Sequence, residues 1–191
     1  FQTTDTSFQA VFFENDLKVI IPELFLVLCT LGLIVYGVVM ATSKHYNYPI
    51  LVSQLSWLAQ LVLGWTIVLL IANPWSHCAV LSNSFIVDYG TTFFKVVILA
   101  GTMVTLWLSQ DFLCRQSMNS FEFPLFFLLS ATGMICFISA GDLLALYLTL
   151  EFQSLCFYVL AAFRRDSEFS TEAGLKYFLL GAFSSGLLLF G

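Results

Sequence analysis

Charge is what this sequence has least of. Of its 191 residues 12 are acidic and 7 basic, or 10%, against about 25% in an ordinary soluble domain. So few polar groups cannot cover a water-exposed surface, which excludes a soluble globular enzyme. The net charge is −5 and no basic stripe occurs, which excludes a nucleic-acid interface. Only His45 and His77 supply imidazole, and both read as inert loop residues. None of the five cysteines stands in a CxxC or Cys/His ligand spacing, so no metal or iron–sulfur site is expected. Cys29, Cys136 and Cys156 lie in apolar runs, where a thiol acts as a small hydrophobe. Cys78 and Cys114 fall in connecting loops on opposite sides of the topology below, so they cannot pair. Residues 1–18 carry Asp5, Glu14, Asp16 and Lys18 without a basic leader, so this tail is not a signal peptide. Low-complexity linkers and long-period repeats are also lacking.

Apolar residues dominate instead. They make up 59% of the chain, with 21 Phe, 7 Tyr and 4 Trp, and the mean hydropathy is +0.91. Disorder is excluded by that aromatic content. A bilayer core is crossed by roughly 17–25 apolar residues. Runs near that length occur at about 19–42, 50–71, 91–108, 123–139, 143–163 and 171–191. In lipid such runs must be helices, because no water is available to their backbone groups. The expected fold is therefore an all-α polytopic membrane protein with six transmembrane helices after an N-terminal tail at 1–18. Pro22 suits the first turn of the first helix. The longest connector, 72–90, holds Trp75 and Tyr89, residues that suit a membrane interface. Loops after the odd-numbered spans carry Lys44, Arg115, Arg164 and Arg165, against Lys18 alone on the other face. By the positive-inside rule the amino terminus lies outside.

One residue stands out. Glu151 lies eight residues past Leu143, so about 12 Å into a core roughly 30 Å thick. A carboxylate there costs about 2.5–3.5 kcal/mol on insertion scales. It survives by facing protein or water, by pairing, or by holding a proton. Tyr147, Glu151, Ser154 and Tyr158 share one helical face and form a polar stripe. Burial favours a neutral carboxyl and a nearby cation an ionised one, so a group held between the two can exchange protons. The bland alternative is a Glu that only locks two helices by hydrogen bonds. Lys176, about 8 Å into the sixth span, is a second candidate: it either snorkels beside Glu172 or acts as a basic relay to Glu151. Lys95 is read as snorkelling, and Glu23 as a structural acid favoured by a helix start. In GAFSSG the small residues Gly181 and Ser185, and Ala182 and Gly186, are each four apart, a signal of close helix packing.

The blocks LYLTLEFQSLCFYVL and STEAGLKYFLLGAFSSG, with ATSKHYNYP and SMNSFEFPLFFLLSATGMICFISAGD, resemble the proton-pumping antiporter-like membrane subunits of respiratory complex I. The resemblance covers most of 19–191 and is weakest at 72–108. It implies a fourteen-helix fold, of which this chain holds the first part: three helices and the first three of a five-helix repeat. It implies that Glu151 matches the acidic member of a Glu/Lys pair and that Lys176 matches the lysine of the GLKY motif. The remaining helices and their lysines are expected from a second polypeptide or another chain segment. The resemblance further implies a place in the mitochondrial inner membrane with the amino terminus on the intermembrane-space side. Partners would be other membrane-arm subunits and lipids. NADH, FMN, iron–sulfur clusters and ubiquinone would be bound by other subunits, and none by this chain. The tail at 1–18 and Lys95 have no counterpart in the resemblance. Two other readings stay open: a subunit of a cation/proton antiporter, and a membrane scaffold without a proton role.

Overall fold

A computed structural model describes residues 3–41, 48–73, 78–81, 84–115, 121–164 and 166–191. Six helices and one small hairpin follow in the order α1 (Thr3–Ala41), α2 (Tyr48–Ala72), β1 (Cys78–Val80), β2 (Phe85–Val87), α3 (Tyr89–Arg115), α4 (Glu122–Ser139), α5 (Leu143–Ala161) and α6 (Glu168–Phe190). All six helices are long and apolar enough to cross a membrane. Lys44, His45, Trp75, His77 and Arg165 lie outside the described residues.

Three local readings are corrected. The first helix begins at Thr3 and its membrane-length part is Lys18–Met40, so Pro22 lies inside α1 rather than in its first turn. Proline has no N–H for the preceding turn. Nearby, at the end of α2, the Asn73 side-chain amide donates to the Val19 carbonyl at 3.3 Å. The connector at 72–90 is partly ordered as an antiparallel hairpin, with Cys78 opposite Val87 and Val80 opposite Phe85. Cys78 therefore opens a strand, and Cys114 belongs to the last turn of α3.

Helices α1 to α4 share one core of Leu26, Ala59, Leu63, Leu70, Leu99, Leu106, Leu128, Ala131 and Ile135. Helix α4 is its hub, packing on α1, α2, α3 and α5, while α6 packs on α5. Hydroxyls inside this core are satisfied by their own helices. Thr30 donates to the Val27 carbonyl at 2.7 Å, Thr66 to Leu63 at 2.7 Å, Thr102 to Leu99 at 2.9 Å and Ser130 to Phe127 at 2.8 Å. Such back-bonding lets a polar side chain sit in an apolar core at little cost.

In lipid the tails are as apolar as leucine, so helices associate through close packing. The α5–α6 pair does this at glycine. A Cβ built on Gly174 would lie 2.5 Å from the Ala162 Cβ and 3.0 Å from its Cα, and one on Gly181 would lie 1.9 Å from the Tyr158 hydroxyl. Ser185 is buried on the same face. The other small pair, Ala182 and Gly186, is exposed, and no atom stands within 4 Å of a Cβ at Gly186.

Candidate proton-transfer site

The start of α5 is anchored by the hairpin. Phe85 bridges to Ala140, the Gly141 N–H donates to the Ser84 carbonyl at 2.8 Å, and the Ser84 hydroxyl donates to Asp142 Oδ2 at 2.9 Å. These bonds hold the short α4–α5 turn, and with it the depth at which α5 carries its acid.

Glu151 is half-buried in the middle of α5. The Tyr147 hydroxyl donates to its Oε1 at 3.4 Å, a long bond, and the Ser154 hydroxyl lies 3.1 Å from its Oε2. Ser154 also lies 2.9 Å from the Glu151 backbone carbonyl, so one hydroxyl proton serves two acceptors. The stripe thus brings Tyr147 and Ser154 onto the carboxyl one turn to either side. Tyr158 is buried and belongs to a different contact, with its ring edge-on to Tyr177 and to Phe178 at centroid distances of 4.8 and 5.6 Å.

Lys176 does not reach Glu151. Its Nζ is 2.5 Å from Glu172 Oε1, with the two side chains 68% and 59% exposed. An exposed i,i+4 pair of this kind is worth only about 0.3–0.5 kcal/mol, so it does not fix Lys176 firmly.

A second charged pair lies elsewhere in the bundle. Lys95 Nζ sits 2.5 Å from Glu23 Oε1, and the lysine side chain is 1% exposed. This overturns two readings: Lys95 does not snorkel, and Glu23 is not a helix-start acid but an interior partner. The two are 72 residues apart, which hides the pairing from local pattern. The usable signal was that an acid and a lysine each fell a few residues inside spans that enter from the same side. Among the described residues no group of three or more His, Cys, Asp or Glu side chains is placed to hold a metal ion.

Comparisons with known proteins agree with this architecture. Residues 140–191 match the family described as NADH:quinone oxidoreductase/Mrp antiporter, TM. The chain is 49% identical to NADH-ubiquinone oxidoreductase chain 2 of Marchantia polymorpha over 180 residues, covering 94% of this chain and 37% of that protein. It is 48% identical to the protein of the same name from Arabidopsis thaliana, covering 92% and 36%. NADH-quinone oxidoreductase subunit N of Beijerinckia indica is 43% identical, covering 90% and 34%. A solved structure, respiratory complex I from Thermus thermophilus with bound aureothin, aligns at a TM-score of 0.68 and 27% identity, over 88% of this chain and 35% of the matching one. The chain therefore spans little more than a third of the length of these relatives. Six membrane-length helices, the antiporter match over α5 and α6, and near-half identity along almost the whole chain place it together: it belongs to the antiporter-like membrane-subunit family of NADH:quinone oxidoreductase.

Proposed function

We propose that this chain is part of a proton-translocating membrane-arm subunit of respiratory complex I, resident in the mitochondrial inner membrane with its amino terminus toward the intermembrane space. The observation that carries this reading is Glu151, a carboxylate in the middle of a membrane-length helix with hydroxyl donors on both oxygens. An ionisable group at that depth is a functional-site candidate by default. Tyr147 and Ser154 donate to the carboxylate, and either hydroxyl can instead accept when the carboxyl is protonated. The carboxyl therefore keeps a hydrogen bond in both states.

Proton uptake and release at Glu151 would be driven electrostatically by quinone reduction at a distance, a coupling between two sites through their charge states. Lys176 would act as the basic relay by leaving Glu172, an exchange made cheap by the weak surface pair. NADH, FMN, iron–sulfur clusters and ubiquinone would be held by other subunits. Partners would be those subunits, lipids, and the segment or polypeptide that supplies the remaining helices of the fold.

Glu151→Gln tests the reading. It keeps the size of the side chain and one acceptor oxygen, its amide N–H group donating where the other oxygen accepted, but cannot ionise. The expected result is an assembled complex with reduced proton pumping or quinone-linked turnover. Normal pumping in that variant overturns the role given to Glu151. The family description also covers Mrp antiporters, which supports cation/proton antiport without redox partners as a second reading. Purification of the chain away from any quinone reductase activity would favour it.

A further inference from the structure

The interior pair Glu23–Lys95 takes no part in the mechanism above, and it joins two helices that are not side by side. Helices α1 and α3 each pack on α2 and α4, and α2 also packs on α4. In section the core is therefore a rhombus, with α2 and α4 on its short diagonal and α1 and α3 at its far corners. Ala59 of α2 and Ala131 of α4 are fully buried, and small residues of this kind suit a close approach. The long diagonal is crossed by Lys95, whose Nζ is 2.5 Å from Glu23 Oε1. The two residues lie at one depth. Glu23 is five residues into Lys18–Met40 and Lys95 six into Tyr89–Leu113, about 8 and 9 Å from the same side.

Leucine contacts fix depth poorly in a membrane. Lys95 heads the buried face of α3 and is followed there by Leu99, Thr102, Leu106 and Leu113. Lipid tails are as apolar as leucine, so sliding α3 by one turn, about 5.4 Å, exchanges one such contact for another. An ion pair does not slide. Apart from Lys95, Glu23 has nothing to hold: its Oε2 is buried with no hydrogen-bond partner among the described residues. Two cavities border it. One of about 70 Å³ lies beneath the hairpin, with apolar walls that include Ile20, Val80 and Phe85, and a smaller one runs along Leu26 and Val27. The hydroxyls at their edges are already engaged, Ser139 with the Ile135 carbonyl at 3.3 Å and Thr132 with the Leu129 carbonyl at 2.6 Å. A slip of one turn would leave an acid and an amine unpaired in an apolar core, which is strongly unfavourable.

The pair also lies under the hairpin. Val19, one turn before Glu23, packs with Val80 of β1 and Val87 of β2. A single residue, Asp88, joins β2 to α3, and the Thr91 and Thr92 hydroxyls donate to its carbonyl at 2.8 and 3.0 Å. The depth of α3 therefore sets the depth of the hairpin. We propose that Glu23–Lys95 is a registration lock: it fixes α3 against α1 and so seats the hairpin on the α4–α5 turn. Glu23 and Lys95 are then positioning residues for the start of α5. The lock acts through specificity and not through stability, because desolvation of a buried pair offsets its attraction. It concerns placement and does not rest on the translocation reading.

Hydrogen exchange of the whole complex, read by mass spectrometry on peptides that hold Ser84 and Gly141, tests the lock. These amides donate to the Leu81 and Ser84 carbonyls at 3.1 and 2.8 Å, and they exchange when the hairpin lifts from the turn. Glu23→Leu and Lys95→Met, made singly, leave one charged partner alone. Each is expected to speed exchange at both amides by roughly five- to tenfold or to lose assembly, and wild-type rates in an assembled single variant overturn the proposal. The two substitutions together remove both charges and keep the bulk. That variant is expected to assemble and still to exchange fast, since packing replaces the pair without its register. Glu23→Lys with Lys95→Glu reverses the pair and is expected to assemble with wild-type exchange. Failure of either double variant to assemble, wild-type exchange in the apolar one, or fast exchange in the reversed one overturns the proposal. Exchange is read without reference to pumping, so the lock and the role of Glu151 stand or fall separately.

Discussion

Gly181 gives the sharpest packing prediction. A Cβ at this position would lie 1.9 Å from the Tyr158 Oη, 2.6 Å from Cζ and 2.9 Å from Cε1. Comfortable contacts between such atoms are about 3.5–4.0 Å, so Gly181→Ala asks for a displacement of roughly 1.5 Å. Tyr158 is only 8% exposed and its ring is pinned edge-on by Tyr177 and Phe178, so it has no free volume to enter. Helix α6 must move away from α5 instead. Overpacking of this kind costs about 1–3 kcal/mol. Replacing Gly by Ala in a helix also gains up to about 1 kcal/mol of intrinsic propensity, which would mask part of the loss. Gly186→Ala on the same helix gains the same propensity and meets nothing within 4 Å, so the difference between the two variants isolates the clash. The assay is retention of the subunit in the complex after graded heating in detergent. Gly181→Ala should dissociate at a lower temperature than Gly186→Ala. Tyr158→Leu should restore it and Tyr158→Phe should not, because the ring carbons still obstruct. Equal retention of the two alanine variants would refute the close α5–α6 contact.

Other positions make further tests. Gly174→Ala puts its new methyl 2.5 Å from the Ala162 Cβ, 3.0 Å from Cα and 3.1 Å from the backbone nitrogen, so Ala162→Gly should rescue it only partly, read in the same heating assay. Gly133→Ala meets Gln153 and Phe152 at 3.1–3.2 Å, a milder conflict of about 1 kcal/mol; under the proposed function assembly should survive while pumping falls, since α5 is displaced beside Glu151. Leu81 holds a φ of 53°, a left-handed conformation that costs a leucine about 1–2 kcal/mol. Leu81→Gly should therefore tighten the hairpin, seen as slower hydrogen exchange at the Ser84 amide, which donates to the Leu81 carbonyl.

Much of this architecture is legible in the sequence because a bilayer imposes strong rules. Every apolar run of sufficient length became a helix, and no other backbone could be satisfied there. The Glu151 cluster was equally legible, since Tyr147 and Ser154 are four and three residues away on one helical face. The parts that escaped depend on tertiary placement. The hairpin strands are three residues each, too short for an alternating pattern to register. Pro22 suits a first helical turn, but α1 carries it internally. Lys95 lies near a helix start, where snorkelling is the usual outcome; only the fold shows that Glu23 stands opposite it. GAFSSG announced two small-residue faces, and one of them, Gly181 with Ser185, meets α5.

The two charged sites share α4. On one side of this helix Thr132 and Cys136 border the cavities at Glu23. One residue on from Thr132, Gly133 presses against the Gln153 backbone and the Phe152 ring of α5, next to Glu151 in sequence. Consecutive residues on a helix point about 100° apart, so α4 offers one face to each site. Leu128, Ala131 and Ile135, each 3% exposed or less, lie on the flank of α4 turned away from α5, in the core shared with α1 to α3. Helix α4 is thus anchored in that core on one flank and pressed to α5 through Gly133 on the other, so it helps the hairpin to fix the depth at which α5 carries Glu151.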